Sequence, residues 1–272
     1  KTILPSFVNT PPIAKSPKVL KLFGTLAMKC RNAFCENFQE ILENIYHPVL
    51  QMIKDDFVSY ENIRLDFYGF ISSLIINCIE AIISLPSEEI GTFIEAIQWG
   101  MRHTQSDVSE KSHSDLIEFI NSIKNKLRNN QEELTQFTNT YAVPLLMFAF
   151  EIMTDTAHKF AFQSQVSLIK TILTLPAVGD LGGPIFEGLS EMFPDQGSEN
   201  IEQLLMKLME SINESGQEFS NILKDFLISV KHLLPQDPDL KLKDEARQRT
   251  QDFFKQIEEA KLAPLEGLPD ML

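Results

Sequence analysis

Ser87–Leu127 reads SEEIGTFIEAIQWGMRHTQSDVSEKSHSDLIEFINSIKNKL and holds two amphipathic helices joined by a short polar turn. In the first, Phe93, Ile94, Ile97 and Met101 recur at the three-to-four spacing of one helix face. That helix opens at Ser87, the expected N-cap, with Glu88 and Glu89 suited to its positive end, and runs to Arg102. The second runs from Asp107 to Leu127 and turns Leu116, Phe119, Ile120 and Ile123 inward. Similar helix openings occur at Asn62-Ile63-Arg64, Asp107-Val108 and His158-Lys159, roughly 45–50 residues apart, the period of a HEAT-type helix pair. A pair of this size cannot bury its apolar face alone, so neighbours must stack. The predicted fold is all-α: a solenoid of antiparallel helix pairs.

Outward from that pair the pattern continues in both directions. Lys1–Ser16, with Pro5, Pro11 and Pro12, reads as a severed linker. Pro17–Lys29 is a short helix with Ser16 as N-cap and Pro17 at its first position. Phe34–Lys54 carries Phe38, Ile41, Leu42, Ile45 and Val49 on one face, and Pro48 is expected to kink it. Tyr60–Ile83, Glu132–Thr154 and Phe160–Thr174 follow as helices, and Ser198–Asn213 pairs with Gln217–Leu234. Between them Pro176–Pro194 has four glycines and is predicted to be loose, with at most a short helix over Ile185–Phe193.

Residues 17–234 therefore form the repeat region. Pro235-Gln236-Asp237-Pro238 breaks the chain, and residues 235–261 hold a separate helix, Leu240–Lys261, with six basic and five acidic side chains. Its apolar stripe is narrow (Ala246, Thr250, Phe253, Phe254, Ile257), so this helix depends on docking. Residues 262–272 are expected to be a flexible tail. Leu262, Leu265, Leu268 and Leu272 are regularly spaced there, but Pro264 and Pro269 oppose a stable helix.

Composition narrows the function classes. The chain of 272 residues is 43% hydrophobic and 23% charged, enough to bury a sizeable core. Its net charge of −14 argues against a nucleic-acid surface, which needs a basic stripe. Three cysteines (Cys30, Cys35, Cys78) suggest reduced thiols inside a cell. The chain starts at Lys1 without a signal-peptide pattern and reads as a piece of a longer protein. Phe67–Leu85 imitates a membrane span in length, yet Asn77, Glu80 and three serines interrupt it and no basic flank orients it. A buried solenoid helix explains it better than a membrane span.

No phosphate loop, Cys-x-x-Cys, His-Glu-x-x-His or Gly-x-Ser-x-Gly pattern is present. His103, His113 and His158 are separated by turns, and Asp55-Asp56 and Glu88-Glu89 sit at helix ends, where carboxylates cap or are solvated. The expectation is a non-enzymatic chain with no cofactor and no metal site. Trp99 is expected to pack between repeats.

Four runs add a resemblance. Ile94-Glu95-Ala96-Ile97-Gln98-Trp99-Gly100-Met101-Arg102-His103-Thr104 resembles a helix end in the exportin-one family of nuclear export receptors, within the importin-beta (karyopherin) superfamily. Met52-Ile53-Lys54-Asp55-Asp56-Phe57 with Tyr60 and Arg64, Met153-Thr154-Asp155-Thr156-Ala157-His158, and Leu223–Lys231 match in the same order. The likeness covers most of Pro17–Leu234. Pro176–Pro194 matches poorly, and Ala263–Leu272 is less acidic than some family tails.

The resemblance implies the C-terminal part of a receptor that binds Ran-GTP and leucine-rich export-signal cargo cooperatively. It also implies that the main cargo groove lies outside this chain, and that the receptor meets nuclear pore proteins while shuttling between nucleus and cytoplasm. By position, Leu240–Lys261 corresponds to a closing helix that regulates cargo affinity. Basic residues on presumed inner helices, Lys111, Lys124, Lys159 and Lys170 with Arg64 and Lys126, are candidates to face Ran; a solvated concave wall explains them equally. From a different class, a HEAT scaffold subunit of an enzyme complex such as a phosphatase is the alternative.

Overall fold

A computed structural model describes residues 7, 9–11, 15–55, 60–214 and 216–231. The chain divides into two compact units, Lys1–Val230 and Lys231–Leu272. Apart from Lys231, the second unit lies outside the described residues, and with it the predicted helix Leu240–Lys261 and the tail.

Among the described residues the structure is helical throughout, with no strand. The helices are α1 (Lys18–Lys29), α2 (Arg31–Cys35), α3 (Phe38–Ile41), α4 (His47–Asp55), α5 (Glu61–Ile83) and α6 (Ser87–Met101). They continue as α7 (Ser106–Lys126), α8 (Gln131–Thr154), α9 (Phe162–Leu173), α10 (Gly182–Met192), α11 (Ser198–Ser211) and α12 (Gly216–Lys231). One row of the stack runs α1, α5, α7, α9, each packed on the next. The partner helices flank it, with α4 and α6 against α5, α6 also against α7, and α8 against α9 and α10. This is the stacked helix-pair architecture that the sequence period implies.

The predicted inner faces are the buried ones. Phe93, Ile97, Leu116, Phe119, Ile120 and Ile123 are nearly inaccessible, and each such side chain contributes roughly 1.5–3 kcal/mol by leaving water. Aromatic rings carry the packing from one pair to the next. Tyr46 stacks on Phe93 at 5.5 Å, Phe93 meets Phe119 at 5.7 Å, and Phe119 meets Phe137 at 6.4 Å.

α5 is the centre of the first half. Over Asn62–Ile83 it is 22 residues long and apolar enough to cross a membrane. In the fold it lies between α1 and α7 with Phe67, Phe70, Ile71, Leu74, Ile75 and Ile82 buried. Helix α6 crosses close to it at Gly100, where a Cβ would overlap Ser112 Oγ and the Tyr68 ring. Any larger residue there would push the two helices apart.

Several local expectations need correction. Phe34–Lys54 is not one helix: α2 ends at Cys35, and α3 passes into a π-helical turn, Leu42–Tyr46, before α4. Pro48 supplies the reason, because it has no N–H and its ring would crowd the carbonyl four residues back; the wider turn relieves both. Ser87 is the first residue of α6, not its cap: Pro86 holds that position and no side chain caps the end. At α1, Pro17 takes the N-cap place expected for Ser16.

The segment Pro176–Pro194 is more ordered than its glycines suggest. Ala177 adopts a left-handed conformation (φ 59°), a 3-10 turn follows over Val178–Leu181, and α10 begins at Gly182. Ile185 and Leu189 are buried, and Gly188 lets Met147 of α8 approach where a Cβ would collide. Tertiary packing overrides the weak helix propensity of that stretch. Pro144 lies inside α8 without ending it; Ala142, Leu145 and Leu146 are buried on either side.

Candidate interaction surface

The basic residues picked out by sequence have distinct roles. Lys124, near the end of α7, donates to the Thr174 carbonyl at 3.1 Å and approaches Thr174 Oγ1 at 3.4 Å. Thr174 caps the C-terminus of α9, so the ammonium sits at the negative end of a helix in the next pair. Lys170 of α9 also reaches the next pair, donating to the Glu214 carbonyl in the turn between α11 and α12 at 3.2 Å and lying over the Phe219 ring at 5.6 Å. Lys126 pairs with Glu80 of α5, which also faces Arg31 at 3.8 Å. These partners are 50, 44 and 46 positions apart, one repeat in each case. Lys124, Lys126 and Lys170 thus form a ladder of inter-repeat struts.

The remaining candidates differ. Lys111 is 39% exposed and lies 3.8 Å from Asp115 on its own helix. Lys159 is exposed on the 3-10 segment Thr156–Ala161. Arg64 is buried in α5, beside Tyr68, rather than on a surface. Among the four principal candidates, then, Lys159 is exposed, Lys111 is half-buried with its ammonium beside Asp115, and Lys124 and Lys170 hold neighbouring pairs together. A strut role was readable only as a hint, since Lys124 and Lys170 recur one period apart. Trp99 is partly buried against the core with its ring edge-on to His103 at 6.2 Å. The regulatory-helix residues Ala246, Thr250, Phe253, Phe254 and Ile257 lie outside the described residues.

A buried polar site at the α5–α7 junction escaped the sequence reading. Asp115 of α7 is 7% exposed and its two carboxyl oxygens lie 2.6 and 2.7 Å from Ser72 Oγ of α5. Ser72 Oγ is also 3.0 Å from the Tyr68 carbonyl. One hydroxyl proton cannot serve both acceptors. If Asp115 is protonated, it donates to Ser72 Oγ and Ser72 donates to Tyr68, so every group is satisfied. Burial pushes the Asp115 carboxyl up to about 6, opposed by Ser72 and Lys111. Nearby on α7, burial lowers the His113 imidazole pKa, although its Nδ1 bonds the Ser109 carbonyl at 2.7 Å. These groups are interior, and nothing about them forms a cleft for substrate. No cluster of three or more His, Cys, Asp or Glu placed to hold a metal occurs among the described residues.

One apolar cleft of about 150 Å³ opens at the ends of α5 and α7 against α6 and α8. Ile83, Ile90, Ile123, Phe137, Tyr141 and Glu133 are among its lining residues, and Tyr141 donates to the Ser87 carbonyl at 2.9 Å. The struts and this cleft both lie where neighbouring helix pairs meet.

Comparison with known proteins decides the family. A profile described as CRM1 C terminal matches residues 1–234. The chain belongs to the CRM1 C-terminal family. The match spans the whole repeat region described above, including Pro176–Pro194, where the sequence likeness had been poorest. Protein EXPORTIN 1A of Arabidopsis thaliana is 26% identical over 274 residues, covering 93% of this chain and 25% of that protein. Exportin-1 of Schizosaccharomyces pombe is 22% identical over 285 residues, covering 97% and 26%. Exportin-1 of Drosophila melanogaster is 22% identical over 240 residues, covering 83% and 22%. The chain therefore spans about a quarter of the length of these relatives. The CRM1 C-terminal family thus accounts for the helical repeats, and the exportin resemblance drawn from four short runs is correct.

Proposed function

We propose that this chain is the C-terminal repeat segment of a nuclear export receptor that binds Ran-GTP and leucine-rich export-signal cargo cooperatively. The match of the family profile to residues 1–234 carries this reading, and the stacked helix pairs supply a wall suited to gripping a protein guest. Lys159, which is exposed, and Lys111, which is half-buried beside Asp115 of its own helix, are the residues assigned to Ran, because Lys124 and Lys170 act as struts between pairs. The helix Leu240–Lys261 is assigned the regulatory role: docked, it lowers cargo affinity, and Ran-GTP releases it. Two docking positions of similar free energy suffice for such a switch. Nuclear pore proteins are the further partners, the receptor shuttles between nucleus and cytoplasm, and α5 serves as a core helix of the wall. The role is non-enzymatic.

The test is recovery of the full-length receptor on Ran loaded with GTP or GDP. Strong preference for the GTP form is expected, and equal recovery would sink the proposal. Deleting residues 235–272 should tighten export-signal binding in the absence of Ran; unchanged affinity removes the regulatory helix while leaving the receptor assignment intact.

A further inference from the structure

Helix α11 carries more apolar surface than the fold covers. Ile201, Leu204 and Leu208 are its buried hydrophobic residues, and the helix packs on α10. Beside them runs a second apolar line, Leu205, Met209 and Ile212, at i, i+4 and i+7, with Met206 next to it. Ile212 keeps helical angles (φ −56°, ψ −39°) just past the end of the helix. Leu205 and Ile212 are half-buried against the core, whereas Met206 and Met209 are 52% and 42% exposed. With about 100° between successive residues, the apolar positions span about 200° of the helix, roughly twice the stripe of a helix packed on one side. The outer face at the end of a repeat stack is ordinarily polar; α11 turns two methionines outward. The charge around them is of one sign. Residues 180–230 hold ten acidic and two basic side chains. Glu202 lies on the stripe itself, Glu199 and Glu210 are exposed beside it, and Lys207 is on the far side of the helix from Met209.

We propose that the Leu205–Ile212 face of α11 is a docking surface for a basic amphipathic helix of a partner protein. The apolar line supplies the attraction, and the carboxylates choose the partner. From Leu205 to Ile212 the helix rises about 10 Å, or two turns. That length meets one set of i, i+3, i+4 and i+7 anchors on a helix laid along it. Methionine is unbranched and polarizable, so Met206 and Met209 mould to leucine or aromatic anchors alike. Glu199, Glu202 and Glu210 then face the Lys and Arg residues that flank those anchors. The same carboxylates repel an acidic helix, an anionic membrane and nucleic acid, so charge complementarity sets the class of partner. The seat stands on α11 alone and is independent of the receptor assignment.

The test titrates the full chain into a fluorescein-labelled peptide of about 18 residues, with leucine at the i, i+3, i+4 and i+7 anchors and lysine elsewhere. Fluorescence anisotropy should show one peptide bound per chain. Met206→Gln with Met209→Gln should weaken binding about tenfold or more, and so should Glu202→Lys with Glu210→Lys. Glu36→Lys with Glu40→Lys, the same charge change on the exposed side of a distant segment, should leave it unaltered. All six side chains are exposed, so each variant should keep the wild-type melting temperature. Equal binding of a peptide of the same composition in scrambled order, or equal loss from the Glu36 and Glu40 pair, would mean charge attraction without a seat and overturn the proposal. No binding of the patterned peptide would do the same. So would Met206 and Met209 that resist peroxide oxidation in the free chain, since the chain itself then covers them, or a dimer of the chain that the methionine variant dissolves.

Discussion

The junction of α5 with α7 and the junction of α8, α10 and α12 both join neighbouring helix pairs, but by opposite chemistry. The first is polar at its heart, with Asp115, Ser72 and the Tyr68 carbonyl bonded together and a lysine strut outside. The second is aromatic: Phe150, Phe193 and Phe226 meet edge to face, with centroids 6.5, 5.9 and 5.1 Å apart. Ring packing has one protonation state and no response to salt. A buried carboxylate has two states, and its neighbours divide between them: Ser72 with the Tyr68 carbonyl suits the protonated form, and the Lys111 ammonium the charged one. The repeat architecture therefore carries interfaces of the same shape whose strength answers to different conditions.

The largest effect should come from emptying the aromatic junction. Phe150 is fully buried, so Phe150→Ala should lower stability by about 3–5 kcal/mol. Urea denaturation should give the same loss at pH 5 and pH 8. A loss that varied with pH would remove the contrast between the two junctions.

Asp115→Asn sharpens the comparison in the other direction. The Asp115 pKa is about 6 in the fold against an ordinary 3.8, so the folded state holds the proton more tightly. The stability this adds is fully present below about 3.8 and is lost as pH rises through about 6. Asparagine keeps a donor for Ser72 Oγ in its Nδ2–H, so Ser72 still donates to the Tyr68 carbonyl, and it carries no charge to desolvate. The variant should gain up to about 3 kcal/mol at pH 7–8 and lose the slope of melting temperature against pH between those two values. A destabilised variant at every pH would refute the shared-proton arrangement.

The struts rank below both. Lys124→Met removes a charge-assisted bond to the Thr174 carbonyl and should cost about 1–2 kcal/mol in thermal unfolding, because the site is only partly buried. Lys126→Gln should have the smallest effect, since Lys126 and Glu80 are both about half exposed and solvent screens such pairs. The melting temperatures of wild type and Lys126→Gln should converge as salt is raised. A Lys126 effect exceeding that of Lys124 would mean that ion pairing, rather than the helix end, holds the pairs together.

The sequence alone determined the helical class, the repeat period and the inward faces. These depend on spacing along one chain: Phe93, Ile97, Leu116 and Phe119 fall on faces that water cannot be allowed to reach, whatever surrounds them. Tertiary structure decided what spacing leaves open. Ser72 and Asp115 each look like ordinary polar helix residues, and only stacking brings them within a hydrogen bond. Lys124 and Lys170 read as surface charge until the next pair presents a backbone carbonyl to each. Gly188 suggested looseness, yet the approach of Met147 turns it into a packing residue. Pairings of this kind span about one repeat, so they exist only once neighbours have docked, and local preference along the chain carries no record of them.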